Sequence, residues 1–274
     1  MRALVTGCAG FVGSHLTDYL LDLGHEVRGV DSLVRGGAYV NPGVLFRKAD
    51  IRSAVAARLM AGADWVFHTA AVSTTPHAVR DPVTCNAVNV DGTLALLEAA
   101  REHGVKRFVF SSSNIVYAAP TAYKVSKLAA EGYCEAYAHL YGVPTVSLRY
   151  SNVFGSLRQN GENCIAAMRA SALERGYVEV TGDGEQTRDF TNVTDICRAN
   201  VLAAQSGAKG WMDICTGHNR TMNEVAGLFG VPVKHVPDRP GDIKHITQNP
   251  GRAKDELGFT AQVPFKTGME PYLA

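Results

Sequence analysis

The residues best placed to do chemistry in this sequence are a tyrosine and a lysine four positions apart, Tyr123 and Lys127. Apolar residues recur at helical spacing from 122 to 141, so the two side chains are predicted one turn apart on one helix face. An ammonium close to a phenol favours the phenolate, and we expect the pKa of the Tyr123 phenol to fall toward neutrality. A tyrosinate of this kind can take the proton from an alcohol whose carbon is being oxidised.

A hydroxyl residue is predicted beside this pair. Ser111, Ser112 and Ser113 end the apolar run that precedes the helix, which places them at the carboxyl edge where open α/β sheets bind ligands. Tyr and Lys at this spacing are a surface coincidence in many helices. A serine in this place gives the pair a partner that could orient the same substrate oxygen.

A glycine-rich segment, 6–13, follows the first predicted strand and opens the first predicted helix. Gly7, Gly10 and Gly13 would allow a tight turn and a close approach of the backbone to a pyrophosphate at the helix N-terminus. Glycines also serve turns for steric reasons alone, so the segment needs its context. That context is a strand before it, a helix after it and the catalytic group described above.

Acidic residues after the next strands indicate which dinucleotide would bind. Asp31 ends the second strand, where a carboxylate would accept hydrogen bonds from the adenosine ribose and repel a 2′-phosphate. NAD is therefore favoured over NADP, although the nearby Arg35 keeps NADP as an alternative. Asp50 follows a third strand-like run and could lie beside the adenine, or in a solvated turn.

Short apolar runs alternate with helical patterns from residue 1 to about 150, which predicts an α/β fold with a doubly wound parallel Rossmann sheet. After Arg149 the pattern loosens, which suggests a smaller C-terminal substrate-binding lobe, with 191–215 returning to the sheet. We predict an NAD-binding domain from 1–151 and 189–217, and the smaller lobe from 152–188 and 218–274. The predicted strands are 3–5, 26–30, 65–67, 107–110, 145–148 and 178–181, and the predicted helices are 13–23, 89–103, 122–141 and 164–174.

Composition excludes several classes of protein. The formal net charge of the 274 residues is +1, so no overall field favours nucleic acid or an acidic membrane surface. The N-terminal apolar run is broken at Gly7, unlike a signal peptide, and no apolar stretch is long enough to span a membrane. The six cysteines contain no C-x-x-C pair, so we expect free thiols in a soluble cytoplasmic protein and no metal site.

Taken together, these motifs resemble the extended short-chain dehydrogenase/reductase family, in particular its NAD-dependent epimerase/dehydratase branch, and most closely its UDP-sugar 4-epimerases. The resemblance covers almost the whole chain. It is carried by the segments 6–13, 68–71, 89–93, 111–113, 123–127, 149–155, 182–190 and 239–242.

The resemblance implies roles for residues at matching positions. Ser113, Tyr123 and Lys127 would be catalytic, with Ser113 and Tyr123 also touching the substrate. Asn152, Arg188, Arg239 and Asp242 would grip the nucleotide diphosphate, and an arginine fork suits phosphate oxygens. We expect NAD to be bound by Gly7, Ala9, Gly10, Phe11, Val12, Gly13, Asp31, Ser32, Asp50, Ile51, Thr69, Ala70, Ala71, Asn89, Tyr123, Lys127 and Tyr150.

The residues after the serines favour one reaction of this branch. Dehydratases typically carry Asp-Glu there, whereas this chain has Asn114 and Ile115, which cannot act as general acid or base. The prediction is therefore epimerisation at the fourth carbon of a UDP-sugar through a 4-keto intermediate. A dehydratase or a reductase of the same family is the alternative, and a non-catalytic NAD-binding sensor is a third hypothesis.

The chain also departs from the family. Only five residues separate Tyr117 from Tyr123, where relatives usually carry a longer loop over the active site. Ile246 resembles a residue that gates bulky acetamido sugars, or it belongs to the core. The helices predicted at 89–103 and 122–141 could form the four-helix homodimer interface common in the family, or serve only the internal core.

Overall fold

A computed structural model describes residues 1–34, 39–159, 161, 163–238 and 244–274. Strands within these ranges begin immediately at the N-terminus and continue into the C-terminal third. They are β1 (Arg2–Thr6), β2 (Glu26–Asp31), β3 (Leu45–Lys48), β4 (Trp65–His68), β5 (Arg107–Ser113), β6 (Thr145–Tyr150), β7 (Asn152–Phe154), β8 (Val178–Thr181), β9 (Thr187–Asn192), β10 (Trp211–Ile214), β11 (Asn219–Thr221) and β12 (Val233–Val236).

Helices connect most of these strands. They are α1 (Phe11–Asp22), α2 (Ala54–Leu59), α3 (Thr75–Arg80), α4 (Pro82–Asn86), α5 (Gly92–His103), α6 (Ala122–Leu140), α7 (Cys164–Arg175), α8 (Val193–Gln205), α9 (Met222–Gly227), α10 (Gly251–Leu257) and α11 (Phe265–Leu273). A π-helical turn, Ala87–Asp91, joins α4 to α5, and a 3-10 turn, Asn114–Tyr117, follows β5.

The main sheet confirms the predicted doubly wound fold. Among the described residues it has seven strands in the order β3-β2-β1-β4-β5-β6-β10, and every neighbouring pair is parallel. The order reverses between β1 and β4, where Thr6 lies opposite both Val30 and His68. Such a switch point leaves a crevice at the carboxyl ends of the strands, which is where ligands bind this fold.

Both faces of the sheet are buried, as expected for parallel strands covered by helices. Leu4 and Val66 pack on one face against Leu96 of α5. The alternate residues Val5 and Phe67 pack on the other face. This alternation holds the carboxyl ends of β1, β4 and β5 rigidly at one edge.

The predicted helix boundaries differ from the structure at two places. The first helix begins at Phe11, two residues before the predicted start, so its N-terminus lies within the glycine-rich segment. The helix predicted from 89 begins as a π-helical turn and becomes α-helical only at Gly92. Single π-helical turns inside helices are frequent at functional sites.

A second, smaller core lies beyond β6. Strands β7, β9 and β11 form a three-stranded sheet, and β8 pairs in parallel with β12. Phe154, Val180 and Phe190 pack there with Met269 of α11. The division predicted at 188/189 falls inside β9, whose residues all belong to the small sheet, while β10 pairs with β6 in the main sheet.

Candidate active site

A cleft with a volume of about 940 Å³ runs along the carboxyl edge of the main sheet and continues onto the smaller lobe. Its walls include every described residue of the predicted cofactor and substrate sets except Asn89. Arg35, Arg239 and Asp242 lie outside the described residues. The fold therefore brings residues that are up to about 240 positions apart in the sequence, from Gly7 to Ile246, into one site.

The glycine-rich segment forms one end of the cleft. Gly7 has a φ of 68°, and its carbonyl accepts a hydrogen bond of 3.0 Å from the amide of Gly10. A Cβ at Gly13 would lie 2.0 Å from the Gly7 oxygen. No side chain caps α1, and its first turn carries no acidic residue. Its N-terminal amides are therefore available to an anion.

A Gly13→Ala substitution is expected to disrupt this end of the cleft. The added methyl group would meet the Gly7 carbonyl, which is backbone and cannot rotate away, so the loop must shift. Overpacking of this kind costs about 3 kcal/mol. We expect a lower urea midpoint and loss of co-purifying dinucleotide, measured by absorbance after denaturation. Gly227→Ala is the matched control, since a Cβ there meets nothing within 4 Å.

Asp31, which is predicted to bind the adenosine ribose, ends β2 and lies on the wall of the cleft. One carboxylate oxygen accepts from the amide of Ala9 at 3.1 Å, and the other accepts from the amide of Leu33 at 2.8 Å. These two bonds orient the carboxylate on the wall of the cleft. Asp50 also lines the cleft and is paired with Arg52 at 2.7 Å, which lowers the pKa of the Asp50 carboxyl.

The first turn of α6 carries the predicted catalytic pair. Thr121 caps this helix by accepting a hydrogen bond of 3.1 Å from the amide of Lys124. The cap fixes the start of the helix, so Tyr123 and Lys127 lie one turn apart and both face the cleft. Tyr123 is 8% exposed and Lys127 is 3% exposed.

Lys127 is held by β5, the strand that ends at Ser113. Its Nζ donates to the carbonyl oxygen of Ser111 at 2.7 Å and lies 4.8 Å from the centre of the Phe110 ring. Burial lowers the pKa of Lys127 to about 8, and the negative charge of Glu131 opposes that shift. The ammonium is therefore present at pH 7 but is lost readily above pH 8.

Ser113 is the last residue of β5. It is followed by Asn114, whose side-chain amide cannot act as a general acid or base. The hydroxyl of Ser113 accepts from the amide of Ile115 at 3.2 Å and donates to Asn114 Oδ1 at 3.4 Å. Asn114 Nδ2 in turn donates to Asn152 Oδ1 at 3.3 Å. The side chain bonded to the Ser113 hydroxyl is thus the amide of Asn114.

Comparisons with known proteins agree with the motifs found in the sequence and with the fold that positions them. The family model of the NAD-dependent epimerase/dehydratase family matches residues 3–215. The chain belongs to the NAD-dependent epimerase/dehydratase family. It is 35% identical to the UDP-glucose 4-epimerase of Mycolicibacterium smegmatis, over 98% of this chain and 96% of that protein.

Solved structures of this family include both epimerases and dehydratases. The UDP-glucose 4-epimerase of Thermotoga maritima, solved with UDP-glucose, superimposes with a TM-score of 0.93 at 31% identity, covering 100% of this chain and 97% of that one. A dTDP-glucose 4,6-dehydratase from Streptomyces venezuelae, solved with NAD, superimposes with a TM-score of 0.92 at 29% identity, covering 100% and 96%. Because both match so closely, the overall fold does not distinguish the two reactions.

Asn89 is the predicted cofactor residue that the structure places off the wall of the cleft. It is 2% exposed. Its side chain accepts from the amide of Val72 at 2.8 Å and donates to the Val72 carbonyl at 3.0 Å and to Ser126 Oγ at 2.9 Å. Asn89 thus joins the loop after β4 to α6, and contact with a dinucleotide stays a prediction.

The wall on the smaller lobe includes residues that the motifs did not single out. Besides Arg188, whose Nη1 donates to the Thr187 carbonyl at 2.8 Å, it contains Gln159, Thr181, Gln186 and Met222. Ile246 satisfies both readings of the sequence, since it is 5% exposed and also lines the cleft. Of these residues, Gln186 could have been predicted, because it lies inside the motif at 182–190.

Proposed function

We propose that the chain is an NAD-dependent epimerase that inverts the fourth carbon of a UDP-linked sugar through a 4-keto intermediate. The observation that carries the proposal is one cleft that holds Tyr123, Lys127 and Ser113 between the glycine-rich segment and the diphosphate-binding candidates Asn152 and Arg188. The relatives named UDP-glucose 4-epimerase support the choice of substrate.

The glycine-rich end of the cleft fits NAD. The space that a Cβ at Gly13 would fill is already occupied by the Gly7 carbonyl, so the absence of a side chain lets the start of α1 pack closely on the loop, with the helix N-terminus facing the cleft. Asp31, held by two backbone amides, presents its carboxylate to the ribose and disfavours a 2′-phosphate. When bound, NAD supplies the acceptor and then the donor of the hydride of the sugar carbon.

The protein's own part in the reaction is the movement of one proton. Tyr123, as the phenolate, takes the proton from the sugar 4-hydroxyl, and Ser113 orders the same oxygen through a hydrogen bond. The ammonium of Lys127 stabilises the phenolate electrostatically. After the 4-keto sugar has rotated in the cleft and presents the opposite face of its fourth carbon for reduction, Tyr123 returns the proton to the same oxygen.

The neighbours of Ser113 favour epimerisation over dehydration. Removal of water from the oxidised sugar needs a second acid and base, whereas Asn114 and Ile115 occupy the positions where dehydratases carry them. The Asn114 amide is bonded between Ser113 and Asn152 instead. Neither Asn114 nor Ile115 could then promote loss of water from the oxidised sugar before the hydride returns.

Proton NMR of the purified protein with UDP-glucose, UDP-N-acetylglucosamine or UDP-glucuronic acid, without added cofactor, tests this proposal. New anomeric signals of the galacto-isomer are the expected result, and they identify the sugar. Loss of water by mass would instead assign a dehydratase. A net change in NADH absorbance would assign a reductase, and tight NAD binding without any turnover would favour a sensor.

The rate is expected to fall in alkaline solution because of Lys127. Below its pKa of about 8 the side chain is an ammonium, and above it the charge that stabilises the phenolate is lost. The kcat/KM, which reports groups of the free enzyme, should therefore decline above about pH 8. Lys127→Arg, whatever its absolute rate, should lack this limb because a guanidinium does not titrate there. A limb at the same pH in that variant would exclude Lys127 as its source.

Three further proposals concern domains, assembly and location. The smaller core around Phe154 and Met269 supports a sugar-nucleotide-binding lobe at 152–188 and 218–274 beside an NAD-binding domain at 1–151 and 189–217, with the difference that Phe190 of β9 packs in the smaller core. Exposed Val125, Leu128 and Leu140 on α6 support a homodimer through this helix and α5.

All six cysteines are free thiols, which supports a cytoplasmic location. Across the described part of the chain, no helix has the length and apolarity to cross a membrane.

A further inference from the structure

A buried ion pair lies beneath the catalytic residues, outside the walls of the cleft. Glu131 is one turn after Lys127 on α6, and Arg149 is on β6. Arg149 Nε donates to Glu131 Oε1 at 2.9 Å and Nη2 donates to Oε2 at 2.7 Å, while each side chain is only 8% exposed. A two-point pair of this kind fixes direction as well as distance between the two elements.

The Glu131–Arg149 pair also contacts the end of β5, which carries Ser113, and the 3-10 turn that follows β5. Ser112, the neighbour of Ser113, donates its hydroxyl proton to Glu131 Oε1. Arg149 Nη1 donates to the hydroxyl oxygen of Tyr117 at 2.9 Å, and that hydroxyl donates to Asp213 Oδ1 at 2.9 Å. Tyr117 ends the 3-10 turn and starts the short segment that leads to α6.

We infer that Glu131 and Arg149 are positioning residues for the proposed epimerisation. The pair sets α6, with Tyr123 and Lys127, against the end of β5, with Ser113, and Tyr117 anchors the short segment between them. The inference rests on the proposed function for its reaction. Stability alone does not require this arrangement, because well-packed apolar residues often replace a buried ion pair without loss of stability.

Glu131 also acts on the charge of Lys127. Among the described residues, the titratable groups facing Lys127 are Tyr123, Glu131 and Cys134 on its own helix, Cys85 on α4 and His68 on β4. Burial lowers the pKa of His68 to about 3 and raises that of Cys134 to about 12, so neither carries a charge at pH 7. Of the neighbours that raise the pKa of Lys127, Glu131 has the largest effect, and it opposes the effect of burial.

The Glu131→Gln variant tests both effects. We expect kcat to fall by about 10-fold or more, because small misplacements of catalytic groups are costly. The KM for the sugar nucleotide should stay within about two-fold, since Glu131 does not line the cleft. The alkaline limb of kcat/KM should move to lower pH by about one unit. Glu135→Gln, one turn further along α6 at an exposed position, is the matched control and should change none of these.

Two more variants keep the inference testable if Glu131→Gln, which leaves a buried arginine unpaired, does not fold. The double variant Glu131→Met with Arg149→Met leaves no unpaired charge, and Tyr117→Phe removes only a hydroxyl from a residue that is 41% exposed. Both should retain NAD and show lowered kcat at unchanged KM. Folded variants with the wild-type kcat would overturn the inference and make the pair purely structural.

A titration without substrate separates this inference from the proposed function. In protein labelled with ¹³C-lysine, the Cε signal of Lys127 is identified by its absence in Lys127→Met. Its midpoint should lie near pH 8 in the wild type and lower in Glu131→Gln. If the wild type converts no sugar, the proposed function fails and this result still decides: a lower midpoint supports the role of Glu131, and an unchanged midpoint overturns it.

Discussion

The Tyr123→Phe variant is expected to turn over its sugar nucleotide about 10³-fold more slowly than the wild type, while remaining folded and retaining NAD. A positioned general base contributes roughly 10² to 10⁴-fold, and Tyr123 is the group on the wall of the cleft assigned to the proton transfer. The ring itself packs with Cys85, Ile115 and Val116, and Phe preserves those contacts.

Anomeric NMR signals measured with saturating substrate check this expectation. Tyr133→Phe is the matched control, because Tyr133 lies on the same helix and is 38% exposed. It should keep the wild-type rate. Full activity in a well-folded Tyr123→Phe protein would contradict the proposed mechanism, since no other described side chain of the cleft is assigned to the proton transfer.

The Lys127→Met variant is expected to lose activity and to gain stability at the same time. Burial lowers the pKa of Lys127 from 10.5 to about 8, so keeping the ammonium in the folded protein at pH 7 costs about 3 kcal/mol. Losing the hydrogen bond to the Ser111 carbonyl offsets about 1 kcal/mol of that. The net expectation is a free energy of unfolding higher by about 2 kcal/mol at pH 7.

The sign of this effect depends on pH. Between pH 8 and 10.5 the unfolded wild type binds a proton that the folded protein has lost, so wild-type stability rises with pH. The advantage of Lys127→Met should therefore shrink as the pH approaches 10. Urea unfolding of NAD-free protein at pH 7 and at pH 9.5 measures it, because bound NAD would add its own stabilisation. Lys106→Met, at an exposed lysine paired with Asp64, should change neither stability nor rate appreciably.

A variant that loses activity and is also less stable at pH 7 would contradict this account of Lys127. In that case the ammonium would be stabilised in the fold by partners stronger than the Ser111 carbonyl and Glu131. The outcome thus tests whether the catalytic lysine is held in an unfavourable state for the sake of the reaction.

Much of the fold and part of the site were predictable because their signals are local. The alternation of apolar strands and helices predicts a parallel sheet, and the sheet in turn predicts which loop ends meet. The segment 6–13 and the pair Tyr123 and Lys127 combine backbone freedom or helical spacing with a specific chemistry. Each of these needs only a few neighbouring residues to be recognised.

Helix boundaries were less predictable, and the reason is tertiary. The π-helical turn at Ala87–Asp91 accompanies the side-chain bonds of Asn89 to Val72 and Ser126, which belong to other segments. Periodicity in the sequence cannot register such partners. The same limit applies to Asn89 itself, which matches a cofactor motif by sequence but lies off the wall of the cleft.

By itself, the sequence determined the family and the doubly wound sheet, and it predicted the glycine-rich segment and the residues proposed to carry the chemistry. Only the tertiary structure decided the state of those residues. The burial that lowers the pKa of Lys127, the bond from its Nζ to Ser111 and the pair of Glu131 with Arg149 all join segments distant in the chain. Solvent exclusion and hydrogen-bond geometry depend on every element packed around a group, and so they exist only once the chain has folded.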